Sequence, residues 1–341
     1  MKKHMDILKI AAVYAGAVLG AGFSSGQELM VFFVRYGKNG LWGAVLAGIL
    51  FAVFGAIVLV RVKKEGIAGY KEYLTMILGK KAGKFLYIVA QTFVAVCFCV
   101  MLSGGGALFS EQFNLPSFVG VLFTSVICYL ILQGDLKRLT TVNMLLVPFM
   151  LAGIVLVCSG YLLTESQEVW MPFVKIKNSF ITSVFLYVGY NMLNAIAVLV
   201  PLSKAAKTNS QAAKGGLLGG GALLLTALLT CIVLYIERDN AGTAELPMLV
   251  VAQGFGTGVS LLYALILYMA MLTTAISCGF AVVEHFSLRG RSRKSVSVAL
   301  CLVSVPLSLI PFSKLVESCF SVFGIIGLLL IAALVYDWFK N

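Results

Sequence analysis

The chain has 341 residues, 60% of them hydrophobic and only 12% charged, with a formal net charge of +12 and a mean hydropathy of +0.99. A soluble domain carries roughly 25% charged residues, so a water-soluble globule is excluded and lipid is the solvent for most of the chain. The apolar runs are continuous over roughly 20 residues and do not alternate, which excludes a transmembrane β-barrel and leaves a helix bundle.

Ten candidate spans follow in chain order, at residues 7–34, 41–60, 84–109, 117–133, 142–163, 179–202, 214–236, 257–283, 295–310 and 315–338. Connections are short, so the expectation is one all-α membrane domain over 1–341. Between the second and third spans, Ile67, Tyr70, Leu74, Ile77 and Leu78 recur at helical spacing, which predicts an amphipathic helix at the membrane surface. A further short helix is expected near Leu246–Gln253.

Lysine and arginine set the orientation. Twenty of the 26 fall at the two termini or in loops after even-numbered spans, with Arg61, Lys63, Lys64, Lys71, Lys80, Lys81 and Lys84 the densest group. The other six are Arg35, Lys38, Lys175, Lys177, Arg238 and Lys314. This split predicts a plasma-membrane protein with both termini cytoplasmic. Trp42, Trp170 and Trp338 fall at or beyond span ends, as interfacial aromatics do. The basic residues form no extended arm, so they read as topology signal and headgroup contact with the lipid bilayer, and nucleic acid is not expected as a partner. All eight cysteines lie in apolar segments without a CxxC pair and read as reduced packing residues.

The first span is interrupted in composition. Its centre runs Gly16-Ala-Val-Leu19-Gly20-Ala-Gly22-Phe23-Ser24-Ser25-Gly26-Gln27-Glu28. Each glycine lowers helix propensity by about 1 kcal/mol relative to alanine. Gly16 with Gly20, and Gly22 with Gly26, also fit a small-xxx-small packing face, but packing does not explain the polar run that follows at membrane depth. A broken helix is expected. Glu28 lies six residues beyond Gly22, about 9 Å along a helix. A carboxylate there must face the bundle interior or water, with Lys314 and Glu317 as candidate partners in an outer gate. The sixth span carries a similar cluster, Tyr187-Val-Gly189-Tyr190-Asn191-Met-Leu-Asn194, and a second break is expected there. The first and sixth of ten spans are equivalent members of two five-helix halves, about 7–163 and 179–338, whose odd span number sets them in opposite orientation. Paired discontinuities of this kind point to a transporter's binding site.

The glycine-rich first helix, the polar sixth helix and the ten-span count resemble the amino acid–polyamine–organocation superfamily, with the leucine-transporter fold. The stretch Gly20-Ala-Gly-Phe-Ser-Ser-Gly-Gln-Glu28 is similar to the YkvI-type bacterial membrane proteins. The resemblance implies a solute held between the two breaks, which would draw on Gly20, Gly22, Ser24, Ser25, Gln27, Glu28, Tyr187, Tyr190, Asn191 and Asn194. It also implies a Na⁺ site where the first-helix carbonyls of Gly16 and Leu19 face Ala270, Thr273 and Thr274 of the eighth helix. Oxygen-only ligation suits a hard cation, while threonine hydroxyls in membrane helices also bond back to carbonyls one turn earlier. No lysine lies between Val142 and Leu163, which disfavours the proton-coupled variant with a fifth-helix lysine. Phe23 replaces the asparagine of many sodium carriers, which puts a second cation site in doubt.

The expected function is therefore secondary, cation-coupled transport of a small polar solute, an amino acid or related amine, by Na⁺ or, in its place, H⁺. A nutrient receptor or sensor on the same fold, binding without transport, is the alternative. No phosphate-binding G-x-x-x-x-G-K-[ST] occurs and no cluster of histidines, cysteines or acids lies at membrane depth, so neither a pump nor an enzyme is expected. Tyr87 and Gln91 are candidates for the inner face of the third helix, Gly104–Gly106 for close packing, and Glu111 for snorkelling at a span end.

Overall fold

The computed structural model describes residues 2–67, 69–134, 136–164, 179–287 and 290–340, with the side chains of 2–5, 136–146 and 179 excepted. Trp170, Lys175, Lys177 and Arg289 lie outside the described residues, as do the side chains of Lys137 and Arg138. Everything described is helix, turn or coil. Among the described residues, seven helices are long and apolar enough to cross a membrane: Lys38–Glu65, Tyr70–Phe113, Val147–Thr164, Phe180–Ala205, Asn209–Ile236, Thr257–Ser287 and Phe312–Lys340. The other three expected spans fall short as single helices. The first is divided into α1 (Lys2–Val18), α2 (Ala21–Ser24) and α3 (Gln27–Phe32), while α6 (Ser117–Leu132) has 16 residues and α13 (Arg293–Leu307) has 15.

The remaining elements follow the chain: α4 (Lys38–Glu65), α5 (Tyr70–Phe113), α7 (Leu136–Thr164), α8 (Ser179–Leu202), α9 (Asn209–Ile236), α10 (Arg238–Ala241), α11 (Pro247–Gln253), α12 (Thr257–Ser287), α14 (Phe312–Leu315) and α15 (Ser321–Lys340). The expected short helix near 246–253 is α11. The expected surface helix is the first limb of α5, whose Tyr73 and Leu74 are buried beside Ile67. At Gly79 the backbone turns to φ 80°, ψ 167°, outside helical space and in a region that glycine alone enters freely.

Among the most closely packed helix pairs are α4 with α9, α5 with α12, α8 with α15 and α1 with α9, and α6 packs on α13. Close approach of α4 and α9 depends on missing side chains: a Cβ at Gly216 would meet the Ala56 backbone, and one at Gly220 the Ala52 backbone. Lipid tails offer no hydrophobic contrast to drive helices together, so such backbone proximity supplies the packing attraction. Gly105 meets Thr124 in the same way, and Gly106 meets Ser117, as expected of packing glycines.

Contacts define the two ends of the bundle. At the basic end, Lys207 pairs with Asp6 at 3.3 Å and Arg61 with Asp337 at 2.9 Å. At the opposite end, Arg35 pairs with Glu317 at 2.6 Å and the Tyr161 hydroxyl donates to Glu237 at 2.8 Å.

The sixth span corrects an expectation. α8 is helical from Ser179 to Leu202 without interruption. Gly189 is needed for contact, because a Cβ there would meet the Gly324 carbonyl oxygen and the Gly327 backbone of α15. The Asn191 amide donates to the Tyr187 carbonyl one turn earlier, at 3.1 Å. The polar cluster is accommodated inside a regular helix, so nothing forces it open.

Candidate functional site

The first span is where backbone leaves the helix. Leu19 still donates to the Ala15 carbonyl, but the Gly20 N–H turns to the Val18 carbonyl at 2.7 Å. The Gly16 carbonyl thereby loses the donor that a continuous helix supplies. Gly20 is extended, at φ −79° and ψ −179°, and Gly26 takes the left-handed conformation at φ 81°. Donors from elsewhere meet the carbonyls beyond the break. The Tyr263 hydroxyl of α12 donates to the Ser24 carbonyl at 2.6 Å, the Met248 N–H of α11 to the Ser25 carbonyl at 2.9 Å, and the Ser183 hydroxyl of α8 to the Phe32 carbonyl at 2.7 Å. Unpaired backbone in lipid costs several kcal/mol per group, so these three donors hold the break in place.

The turn at Gly26 also folds α3 back. Glu28 does not stand a helical rise above Gly22: a Cβ on Gly22 would collide with the Glu28 carboxylate. Glu28 is 4% exposed, and its Oε2 accepts a hydrogen bond from the Tyr190 hydroxyl at 2.6 Å. Its expected gate partners are elsewhere. Glu317 is engaged by Arg35, a pairing between two half-exposed side chains that the sequence reading missed.

A cavity of about 470 Å³ surrounds this break, within the roughly 300–1,000 Å³ range of small-molecule sites. Its wall includes Gly20, Gly22, Glu28, Tyr190, Asn191 and Asn194, and also Gly16, Leu19, Ala270, Thr273 and Thr274. Eleven of the fifteen expected site residues thus meet at one place. Exposure falls along the wall from Lys9 and Ala12, through the half-buried Gly16 and Gly20, to buried Gly22 and Glu28. The cavity therefore opens at the basic end and is blind at Glu28. Its blind end is capped by rings: Tyr190 lies 4.8 Å from Phe320, and Phe93 lies 5.6 Å from Phe320.

Four expected residues do not line the cavity. The Ser24 hydroxyl donates to the Gly20 carbonyl at 3.2 Å and the Ser25 hydroxyl to the Gly22 carbonyl at 2.8 Å, so both serve the turn itself. Gln27 is buried with its side-chain oxygen unpaired among the described residues, and so is the Tyr187 hydroxyl, which is enclosed by Phe32, Phe33 and Phe51. At the expected cation site, Thr273 donates to the Met269 and Ala270 carbonyls at 2.9 and 3.2 Å. Its oxygen lone pairs stay available to a cation. Cavity residues that the sequence reading passed over include Lys9, Phe93, Cys97, Cys278 and Phe320; none carries a local sequence signal, since only the bundle brings them together.

Opposite the opening, the segment from α10 to α11 is pinned by carboxylates. Glu111 was expected to snorkel, but its two oxygens accept the Glu245 and Leu246 N–H groups at 2.6 and 3.1 Å. Glu245 in turn accepts the Ser313 N–H at 2.6 Å and its hydroxyl at 2.9 Å.

No protein-family model matches the chain. It is 28% identical over 333 residues to the uncharacterized membrane protein YkvI of Bacillus subtilis (strain 168), covering 96% of this chain and 94% of that one, and is its homologue. Among solved structures it is similar to MhsT in complex with L-phenylalanine, with a TM-score of 0.68, 13% identity, and coverage of 95% of this chain and 88% of that one. The inward-facing conformation of Mhp1 matches with a TM-score of 0.66 at 12% identity, covering 94% and 73%. An Eremococcus coleocola manganese transporter matches with a TM-score of 0.63 at 14% identity, covering 96% and 78%. The fold is leucine-transporter-like.

Proposed function

We propose that this chain is a secondary active transporter of a small polar solute, an amino acid or related amine, coupled to Na⁺. The observation that carries the reading is the cavity at the interrupted first span, blind at a buried carboxylate–phenol pair and open at the basic end. Glu28 supplies a negative charge for an amine, and aromatic rings beside it accept a cationic or apolar group. Freed backbone near Gly20 and Gly22 provides polar contacts for the solute's other end. The Gly16 and Leu19 carbonyls with Ala270, Thr273 and Thr274 form the coupling-ion site.

In this reading the chain crosses the plasma membrane ten times with both termini cytoplasmic, as a 5+5 inverted repeat. Support comes from the 20-to-6 charge split and from the packing of equivalent members on one another, α4 on α9, α5 on α12 and α6 on α13. With that orientation the opening faces the cytoplasm, and the state is inward-facing. The amine assignment draws on the phenylalanine bound to MhsT; the manganese transporter shows that the fold alone names no substrate.

Uptake of a panel of radiolabelled amino acids and amines into proteoliposomes, with and without an inward Na⁺ gradient, tests the reading. Gradient-driven accumulation is expected, and replacing Thr273 and Thr274 together by alanine should remove the Na⁺ dependence. Binding without accumulation overturns transport in favour of a receptor, and accumulation indifferent to Na⁺ overturns the coupling ion.

A further inference from the structure

A second cavity of about 440 Å³ lies apart from the solute site, where the start of α5 meets the end of α12. Lys71, Lys84 and His285 stand on its wall, with Ile88, Ala95 and Phe286 among its apolar residues. The elbow at Gly79 makes this groove. It folds the first limb of α5 back over the second, so closely that a Cβ at Gly83 would meet the Leu74 carbonyl oxygen and the Thr75 backbone. Tyr70 and Tyr87 then lie 6.1 Å apart, and the Lys71 ammonium sits 5.9 Å from the Tyr87 ring centre.

We infer that this groove binds an anionic glycerophospholipid, its phosphate between Lys71 and Lys84 and an acyl chain along Ile88 to Ala95. Among the described residues three basic groups and no carboxylate line it; Glu72 and Glu284, adjacent in sequence to Lys71 and His285, are exposed and off its wall. From Lys84 to Ala95 the helix rises about 16 Å, so a charged rim gives way to a largely apolar strip along one helix, on which Gln91 and Thr92 are the uncharged polar residues. Ile88 and Phe286 are large apolar residues left 54% and 43% exposed on it. A soluble anion would satisfy the rim and leave that strip bare, whereas a phospholipid matches both. Basic pockets between membrane helices at the cytoplasmic side recognise acidic headgroups in this way. The limb that carries Lys71 is also tied to α8, since the neighbouring Tyr70 hydroxyl donates to the Leu193 carbonyl at 2.9 Å. Leu193 belongs to α8, beside the cavity residue Asn194.

Native mass spectrometry of the purified full chain tests this, with phosphatidylglycerol and phosphatidylcholine of matched chains added in competition. Preferential retention of phosphatidylglycerol is expected, and Lys71→Gln with Lys84→Gln should reduce that preference about 30-fold. Lys63→Gln with Lys64→Gln, at the same end but off the groove, should keep it. Equal retention of the two lipids by the unaltered chain, or an unchanged preference in the Lys71/Lys84 variant, overturns the site. So does an equal loss in the Lys63/Lys64 variant, which would mean diffuse charge attraction. If the Lys71/Lys84 variant does not fold, Thr92→Phe, which narrows the apolar strip and keeps both lysines, takes its place. Loss of bound phosphatidylglycerol is then expected, and full retention overturns the proposal.

Discussion

Both the first and the sixth span hold hydroxyls and amides at membrane depth, but the first carries four glycines to the sixth span's one, and only the first is broken. In the first, the carbonyls of Ser24, Ser25 and Phe32 each find a donor on a different element, α12, α11 and α8. In α8 the Asn191 amide returns to its own helix, and Gly189 is taken up by the backbone of α15. Breaking a helix in lipid requires that each backbone group released finds a replacement partner or, as the Gly16 carbonyl does, lines a cavity. Glycine content lowers the cost of leaving the helix, and the supply of donors from neighbouring elements lets the opened backbone persist.

The largest effect expected from this comparison is at α8. Gly189→Val puts branched carbons against backbone atoms of α15, which cannot rotate aside as a side chain can, and should lower stability by about 3 kcal/mol. Thermal denaturation in detergent measures it; an unaltered midpoint would mean that α8 and α15 separate easily and that Gly189 has no packing role. Next comes the residue where the two spans meet. Glu28→Gln removes the charge that accepts from Tyr190 and that the proposed function gives to a solute amine, and should weaken amine binding by about 2 kcal/mol, the worth of a charge-assisted hydrogen bond. Calorimetric affinities for both proteins, once a ligand is found, decide this, and equal values exclude an amine contact.

Tyr263→Phe deletes one replacement donor and leaves the Ser24 carbonyl buried and unpaired. A stability loss of about 1–2 kcal/mol is expected, with greater labelling of a reporter cysteine placed at Ala21. If the variant is as stable as the parent, the break holds without its neighbours and the contrast with α8 needs another cause. The smallest effect is at Gly20, where nothing lies within 4 Å of an added Cβ and the backbone is in extended space open to any residue. Gly20→Ala should shift stability by less than about 0.5 kcal/mol. A loss as large as that of Gly189→Val would show that the break needs glycine there for reasons other than space.

Most of the architecture was legible because it follows from the solvent. Continuous apolar runs, loop charges and the helical spacing of Ile67 to Leu78 depend on neighbours only a few residues away. The first-helix break was legible for the same reason, since glycines and a polar run at membrane depth are local. The continuity of α8 was not, because it depends on Gly324 and Gly327, some 135 residues further on. Lys9, Cys97 and Cys278 reach the cavity through packing of α1, α5 and α12, and the Arg35–Glu317 pair joins residues 282 apart. Nothing within a window of sequence distinguishes such residues from ordinary lipid-facing or surface positions. The resemblance to leucine-transporter-like proteins supplied the expectation of a cation site, which the residues alone left open.

The bond from the Met248 N–H to the Ser25 carbonyl joins α11 to the broken helix through a single oxygen atom. That oxygen is also the one a continuous helix would offer to the Leu29 N–H, four residues on. If the first span straightened through residue 25, the same atom would gain an intrahelical donor beside the one from α11. Its two lone pairs can serve both, so the docking of α11 and the straightness of the first helix are linked through one oxygen, as two ropes are through one cleat.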